Sequence, residues 1–564
     1  MPGDDGGIGG SIDQLEVQLD LANLNANRFG LGTVQNGLFP GQDRRATTSS
    51  ALQARSESVI AINPLDELNM VGASKKFIDP DKYHFKLGPI YTFDGGETWH
   101  ESVLPMESGW DGMSDPTVAF DAFGHAFLVG EPIKFDPADV HGLGMAVYRS
   151  SDRGVTWEQP FRLTTTTTDD KQWVLCDNNP GSPHYGNVYV AWAASSPLRF
   201  ARSTDHGASW KGKGNDPPGT TLTGFAFAPD ISISADGTLH ILWHAQGSNS
   251  IQYLRSTDGG VSFEPIKEVV TGVVSLRGHL PMIGVPPNSF PHFDGGKFRV
   301  LTIVTSCTAP GGRLIVAWAD MREGRSRIYY RRSDDKGVSW QGPASGQPLL
   351  PSVNYGDFEC FHPQIVCTTA TGVVGCSFYV FGRWRGIPPA RQERRLARSQ
   401  SELVDAEAED PTYRIHVQIA GSWDLGKTFP QVVRVTDMPW DPTVKAPLSH
   451  GDPLVHFIGE YFGLDAGDEN FAVLWTDTRT GMQELFSDVI ATKWIKYTNI
   501  PRLVAEILTG VVQDGGGWVV IAGKLHKVPP RGPLVQLLEA LSEEDVLETA
   551  DLEAIQKAVS KISD

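Results

Sequence analysis

The sequence has few cysteines and no long apolar run. Its 564 residues include 5 cysteines at irregular spacings without a Cys-x-x-Cys pair, which excludes a disulfide scaffold and a cysteine-based zinc motif. A disulfide between Cys367 and Cys376 and buried free thiols stay open as alternatives. No stretch approaches the roughly 18 apolar residues of a membrane helix, and residues 1–11 lack the pattern of a secretory signal peptide. We expect no membrane span; a cytoplasmic location, export by another route and residence in an assembly stay open.

Basic residues are also scarce relative to acidic ones. There are 48 Lys and Arg against 67 Asp and Glu, so the net charge is −19, and no long basic run offsets it. A polyanion would be repelled by this charge. The composition therefore disfavours nucleic acid and anionic membranes as partners.

Turn-forming residues are abundant. The chain has 60 Gly and 38 Pro, and clusters of Ser, Thr, Asp and Asn separate short β-branched runs. This is typical of many short strands joined by tight turns. The fold class predicted is all-β.

One pattern recurs six times: Ser or Thr, any residue, Asp, any residue, Gly, any residue, a polar residue and an aromatic. Its copies span residues 92–99, 150–157, 203–210, 256–263, 333–340 and 422–429. The Asp carboxylate of such a turn accepts backbone N–H groups, Gly takes the positive-φ position, and the aromatic packs between sheets. These six aspartates are therefore expected to stabilise turns rather than to catalyse.

The repeat predicts a β-propeller. Each copy follows a third strand, and a pair of strands with a tight turn comes before it, so that one unit has the four strands of a blade. Second strands are recognisable seven times, at residues 68–73, 126–130, 188–193, 239–244, 314–319, 376–381 and 471–476. Seven blades are favoured, with six as the alternative. The last unit has three strands, so a strand from the N-terminus, for which residues 14–19 are the candidate, is expected to close the ring.

Three regions follow from this reading. Residues 1–50 form an N-terminal arm, residues 51–497 the propeller, and residues 498–564 a small α+β module. In this module residues 501–508 are expected to form a helix, and residues 518–521 and 524–528 a hairpin. A module of this size is at the lower limit for an independent core, so it is expected to dock on the propeller or on another chain.

The repeats resemble the bacterial neuraminidase repeats, or Asp boxes, of the sialidase superfamily. The resemblance runs from about Arg55 to Lys493 and includes the phrases at residues 114–121, 458–464 and 475–479. It implies a glycan-directed protein, either a binding protein or an exo-glycosidase. A non-catalytic scaffold that presents its arm and its C-terminal module to protein partners or to other copies is the alternative.

Sialidases bind the sialate carboxylate with three arginines and use a tyrosine nucleophile, a glutamate that activates it and an aspartate as acid and base. Carried over by position, the resemblance implies Tyr461, Glu460 and Asp115 as catalytic residues. Arg55 stands at the place of the first arginine, without the Ile-Pro that follows it in the family. The other residues expected to bind substrate are Arg322, Arg479, Asp170 and His362.

Strand order places these residues on one face, opposite the boxes. The starts of first strands and the ends of second strands share that face, which also carries Glu57, Asp111, Asp169, Lys171, Asp230, Asp320 and Asp477. So many carboxylates suit sugar hydroxyls or a calcium ion held by oxygen ligands, although no cofactor is required. Asp320 with Arg322, and Asp477 with Arg479, repeat at one blade position and are also explained as structural pairs. A charged insertion at residues 383–410 is expected on this face as a lid, a docking arm or a loop.

Overall fold

The chain forms a seven-bladed β-propeller. The computed structural model describes residues 15–17, 32–47, 53–137, 139–384, 412–497, 517–521 and 524–528. Nearly all regular structure in these ranges is β-strand, in seven antiparallel sheets around a central channel. The predicted all-β propeller and its seven blades are confirmed. No helix of the described part is long and apolar enough to cross a membrane.

Each of the first six blades is a four-stranded meander that begins at the channel. The strands of blades 1 to 3 are Arg55–Asn63, Asp66–Asp79, Ile90–Thr92 and His100–Glu101; Gly112–Phe120, Ala126–Asp136, Met145–Ser150 and Phe161–Thr164; and Gln172–Cys176, Val188–Trp192, Ala194–Ser203 and Thr220–Phe227. The strands of blades 4 to 6 are Asp230–Ile233, Leu239–Ala245, Ser250–Ser256 and Lys267–Val270; Val304–Ala309, Arg313–Asp320, Arg327–Ser333 and Gln347–Pro348; and Glu359–Cys367, Val374–Trp384, Thr412–Ser422 and Gln431–Arg434. The second strands are almost wholly buried, because both of their faces pack on neighbouring blades.

Blade 7 combines both ends of the propeller. It contains Gly463–Ala466, Asn470–Asp477 and Glu484–Tyr497, and its outer edge is formed by Gly32–Pro40 and Arg44–Arg45 from the N-terminal region. Leu15–Val17, within the segment predicted to close the ring, pairs with Glu484–Tyr497 at only two positions, so Gly32–Pro40 forms the longer ladder. Pairing the last blade with an N-terminal strand removes an edge that would otherwise be open.

The six boxes form the same turn. In the third, Ser209 donates its backbone N–H and its hydroxyl to the two oxygens of Asp205, at 2.9 Å and 2.6 Å. The Ser203 hydroxyl donates to Asp205 at 2.8 Å and accepts the N–H of Gly207 at 2.8 Å. The same side-chain bonds recur in the other five boxes, as their sequence predicted.

Additional segments pack over the face opposite the boxes. Hairpin extensions at His84–Leu87 and Asp139–Gly142 project from blades 1 and 2, and a small ladder of Met282–Ile283 with Phe290–Pro291 lies between blades 4 and 5. The connection from blade 6 to blade 7 packs on the same face. Its His456 N–H donates to the carbonyl of Lys297, and its Leu448 N–H donates to the carbonyl of Pro80. These segments cover the channel end at which the sequence placed a site.

Other sequence expectations have different outcomes. Strands Gly517–Ile521 and Lys524–Val528 form the predicted antiparallel hairpin. All five cysteines are free thiols. The predicted helix at residues 501–508 and most of the insertion at residues 383–410 lie outside the described residues, and the three regional boundaries stay predictions.

Candidate functional site

The first strands of several blades have a residue in left-handed backbone conformation at or near their start. Glu57, Asp115, Lys171 and His362 have φ values of 51°, 51°, 53° and 48°. In blade 7 the corresponding residue is Gly459, where an added Cβ would lie 2.7 Å from the Glu57 backbone nitrogen. Non-glycine residues in this conformation cost of order 1–3 kcal/mol each, and they concentrate at functional sites. Four side chains are thereby held around the channel axis at a cost in stability.

These side chains belong to a buried cluster of ion pairs, which we call the axial cluster: Glu57, Lys75, Asp115, Lys171, Arg299 and Glu460. Lys75 lies 2.7 Å from Glu57 and 2.6 Å from Asp115. Lys171 lies 2.6 Å from Asp115 and 2.7 Å from Glu460, and Arg299 lies 3.0 Å from Glu460. Three cations and three acidic side chains, drawn from four blades and one connection, therefore meet out of contact with bulk water.

Aromatic rings enclose the cations of the axial cluster on the covered face. The Lys75 ammonium lies 4.7 Å from the ring centre of Phe85 and 4.8 Å from that of Phe457. The Arg299 guanidinium lies 4.4 Å from Phe457 and 4.9 Å from Phe290. Cation–π contacts are strongest where water is excluded, so these rings both stabilise the cluster and separate it from solvent.

The environment moves the pKa values of neighbouring carboxyls in opposite directions. Burial favours the neutral form of Asp115, but Lys171 and Lys75 outweigh it and hold the pKa well below its usual value. Arg299 and Lys171 likewise lower the pKa of Glu460 to about 2, against the effect of burial. Burial, and next the charge of Asp115, raise the pKa of Asp170 to about 7. Divergent acid strengths among adjacent carboxyls are a pattern seen in acid–base sites.

A channel of about 460 Å³ runs along the inner strands of all seven blades. At one end it is bounded by residues of the turns on the box side, among them Pro64, Asn179 and Asp468. At the other end Trp173, Asp230 and Gln364 line both the channel and a small cavity of about 20 Å³. A cavity of that size has room for about one water molecule.

The small cavity connects the channel to the axial cluster. Asp115, Lys171 and Tyr461 line it on the cluster side. Across from them is Asp230, which accepts a hydrogen bond from the Ser306 hydroxyl and whose pKa burial raises to about 7. A carboxyl whose pKa is held low, Asp115, and one whose pKa is raised to about 7, Asp230, therefore face one cavity at the inner end of the channel.

The structure brings five of the eight predicted site residues to this region. Asp115 and Glu460 share Lys171, while Asp170 is half-buried beside Asp115. The Tyr461 hydroxyl donates to the carbonyl of Pro116 at 3.2 Å, and its ring lies 5.8 Å from the Lys171 ammonium. His362 is buried, neither ring nitrogen has a hydrogen-bond partner among the described residues, and burial lowers its pKa to about 3.

The three arginines of the predicted clamp lie apart. Arg55 turns away from the axis and pairs with Glu101 in the outer strand of its own blade. Arg322 pairs with Asp320, and Arg479 pairs with Asp477 and, at 2.6 Å, with Asp43. The repeated Asp-x-Arg phrases therefore form pairs within their blades.

Sequence reasoning missed Lys75, Arg299 and Trp173. Lys75 follows the apolar run of a second strand, a signal that could have been noticed. Arg299 lies in a connection between blades, where nothing in the sequence indicates which end of the channel it reaches. Trp173 follows Lys171 and Gln172 at the start of a first strand, and its position at the channel end follows only from the closed ring.

The model of the BNR/Asp-box repeat family matches residues 90–101, which contain the first box. The xyloglucanase Xgh74A of Acetivibrio thermocellus is 28% identical over 180 residues, covering 25% of this chain and 19% of the enzyme. A second sequence of that enzyme is 30% identical over 151 residues, which cover 22% of this chain and 16% of the enzyme. The chain thus spans less than a fifth of the length of these relatives.

The chain is also similar to solved structures. A protein of unknown function from Dyadobacter fermentans has a TM-score of 0.40 and 14% identity, over 61% of this chain and 94% of that one. The NanB sialidase from Streptococcus pneumoniae has a TM-score of 0.38 and 12% identity, over 60% of this chain and 67% of that one.

Proposed function

We propose that this Asp-box β-propeller of the sialidase superfamily is a carbohydrate-directed protein that receives a glycan in its central channel. The observation that carries the proposal is the channel, whose volume of about 460 Å³ lies within the roughly 300–1,000 Å³ of small-ligand sites. The local resemblance to a xyloglucanase points to the same class of ligand.

The lining of the channel suits a sugar. Apolar side chains of the inner strands alternate with hydrogen-bonding groups, which include Asn178, Ser232, Thr305 and Gln364. Trp173 offers an aromatic surface for the C–H face of a sugar ring, and the carboxyl groups at the inner end can accept or donate hydrogen bonds to hydroxyls. Because the opposite face is covered, the ligand would enter from the box side.

Hydrolysis is the second candidate function, favoured by Asp115 and Asp230. Both line the small cavity, and their pKa values are shifted in opposite directions. Glycoside hydrolysis uses an ionised carboxylate together with a carboxyl whose pKa is raised, so that it can donate a proton. Tyr461, the nucleophile implied by the resemblance, lines the same cavity.

The proposal is tested by glycan binding to the wild type and to Trp173→Ala. A glycan array that includes xyloglucan oligosaccharides and sialosides identifies ligands, and calorimetry measures their affinity. We expect Trp173→Ala to weaken binding at least about tenfold, or about 1.4 kcal/mol. Phe225→Ala is the matched control, because Phe225 is an aromatic of the same blade, 51% exposed and outside the channel lining.

The outcomes separate the candidates. No glycan binding, or equal affinity for wild type and Trp173→Ala, would contradict the proposed channel site and favour a scaffold. Release of reducing sugar from a bound glycan, lost in a folded Asp230→Asn variant, would establish hydrolysis. Binding without release would leave recognition as the function.

A further inference from the structure

A second cluster of ligating side chains lies on the box side, between blades 2 and 3. Asp121 follows the first strand of blade 2, His125 lies four residues later in the same turn, and His206 is the residue after the aspartate of the third box. One ligating atom from each lies within 4.8 Å of the others. The group is separate from the channel lining and from the axial cluster.

The same position in two other boxes carries a cation that bridges to the preceding blade. Arg153, after the aspartate of the second box, pairs with Asp66 of blade 1 at 3.2 Å. Lys336, in the fifth box, pairs with Asp236 of blade 4. In the third box His206 takes this position, with its Nδ1 atom 3.4 Å from Asp121. An imidazole, unlike an ammonium or a guanidinium group, carries no obligatory charge at neutral pH.

Asp121 needs a positive partner more than Asp66 and Asp236, the aspartates that pair with Arg153 and Lys336. Its side chain is 0% exposed, whereas those of Asp66 and Asp236 are 34% and 46% exposed. One oxygen accepts the N–H groups of Phe123 and His125, both at 2.9 Å. The other oxygen faces two imidazoles, and a buried carboxylate is costly unless a cation or a metal compensates it.

The positions of the three groups suit a divalent metal. The Asp121 oxygen lies 2.8 Å from His125 Nδ1 and 3.4 Å from His206 Nδ1, and the latter makes no hydrogen bond to any described residue. Zinc–ligand bonds of about 2.0–2.1 Å in a tetrahedral site place neighbouring ligand atoms about 3.3 Å apart. Backbone donors already orient the carboxylate, as the surroundings of metal ligands commonly do.

We propose that Asp121, His125 and His206 bind one divalent transition metal ion, for which zinc is the best fit, and that this ion joins blades 2 and 3. It takes the place that Arg153 and Lys336 fill in other boxes. The histidines are partly exposed, so the remaining coordination position faces solvent and is open to water.

The test is a titration of the chelator-treated full chain with Zn²⁺ alone, followed by calorimetry. We expect one ion per chain and a melting temperature that rises with Zn²⁺ and falls again with EDTA. His206→Asn and His125→Gln should each weaken binding at least about tenfold, as loss of a metal ligand or of its support does. Asparagine is chosen because it tolerates the left-handed backbone of His206, whose φ is 57°.

His141→Gln is the matched control, because His141 also pairs with an aspartate, Asp136 at 3.2 Å, but the two belong to no group of three close ligating side chains among the described residues. It should bind Zn²⁺ as the wild type does. Co²⁺ substitution adds an independent readout, since visible absorption bands typical of a tetrahedral site should appear in the wild type and not in His206→Asn. The proposal would be overturned if Zn²⁺ did not bind stoichiometrically. It would also be overturned if both ligand variants bound Zn²⁺ with the affinity of the wild type.

Discussion

At the residue scale, the most informative side chains are charged groups where a propeller strand would more easily carry glycine or an apolar residue. Glu57, Asp115 and Lys171 combine left-handed backbone with burial. In the described part of the chain, their charges are paired with one another and with Lys75 and Glu460, and Glu460 is paired with Arg299. Removing one member leaves a buried charge without its partner, which costs more than the pair contributes.

The box aspartates make a different kind of contribution, and Asp205→Ala tests it. The carboxylate accepts bonds from Ser203 and from both the N–H and the hydroxyl of Ser209. Loss of these bonds is expected to lower the free energy of unfolding by about 1–3 kcal/mol, without changing glycan affinity. Urea denaturation with binding isotherms measures both.

Asp357→Ala is the control for this prediction, because the Asp357 side chain is 100% exposed and lies 3.7 Å from Arg325. It should leave stability unchanged. Unchanged stability in Asp205→Ala, or loss of ligand binding at full stability, would contradict the structural role of the boxes.

At the element scale, the ring depends on the strand that reaches blade 7 from the N-terminal region. Gly32–Pro40 pairs along the outer edge of Glu484–Tyr497. Asp43 adds a pair with Arg479 at 2.6 Å, and Arg44 one with Glu97 of blade 1 at 2.8 Å. These contacts join blades 7 and 1, so the closing strand also connects the two ends of the ring.

Deletion of residues 1–47 should therefore lower the melting temperature and promote aggregation, because it opens an unpaired edge. Scanning calorimetry and light scattering measure these effects. Deletion of residues 1–14 is the matched control, since it keeps the strands that pair with blade 7, and it should behave as the full chain. Equal stability and equal monomer content of both truncations would rule out closure by this strand.

At the scale of the whole molecule, two sets of buried groups give stability opposite dependences on pH. Burial raises the pKa of Asp170 and Asp230 to about 7, so the folded chain retains protons that the unfolded chain has lost. Such acids make the free energy of unfolding fall as pH rises between their ordinary and raised values. Burial lowers the pKa of His240 and His362 to about 3, and these histidines make stability rise over the range up to their ordinary value.

Asp230→Asn isolates one member of the first set. Asp230 stabilises the fold most at the acidic end of the window from about pH 4 to 7, and the asparagine does not titrate. The free energy of unfolding of the variant minus that of the wild type should therefore rise by up to about 1.4 kcal/mol per pH unit within this window. Above this pH window the difference should be constant.

Urea denaturation at intervals from pH 4 to 8 measures this difference, with Asp357→Asn as the exposed control. A difference that stays constant or falls between pH 5 and 7 would contradict a raised pKa for Asp230.

The sequence alone determined the repeat and therefore the propeller. A box is a local motif whose hydrogen bonds join residues four positions apart, so Asp205 and its counterparts could be identified without tertiary contacts. The count of seven second strands followed in the same way, as did the need for a closing strand in blade 7.

The tertiary structure decided which charges meet. Glu57 and Glu460 are about 400 positions apart in the sequence, and Lys171 contacts both only because closing the ring brings the starts of the inner strands to one axis. Arg55, Arg322 and Arg479 had plausible positions in the sequence, but each pairs within or near its own blade. Asp121 and His206 likewise meet only across the boundary between two blades. Contacts between distant strands depend on ring closure and on side-chain direction, and neither is encoded by local spacing.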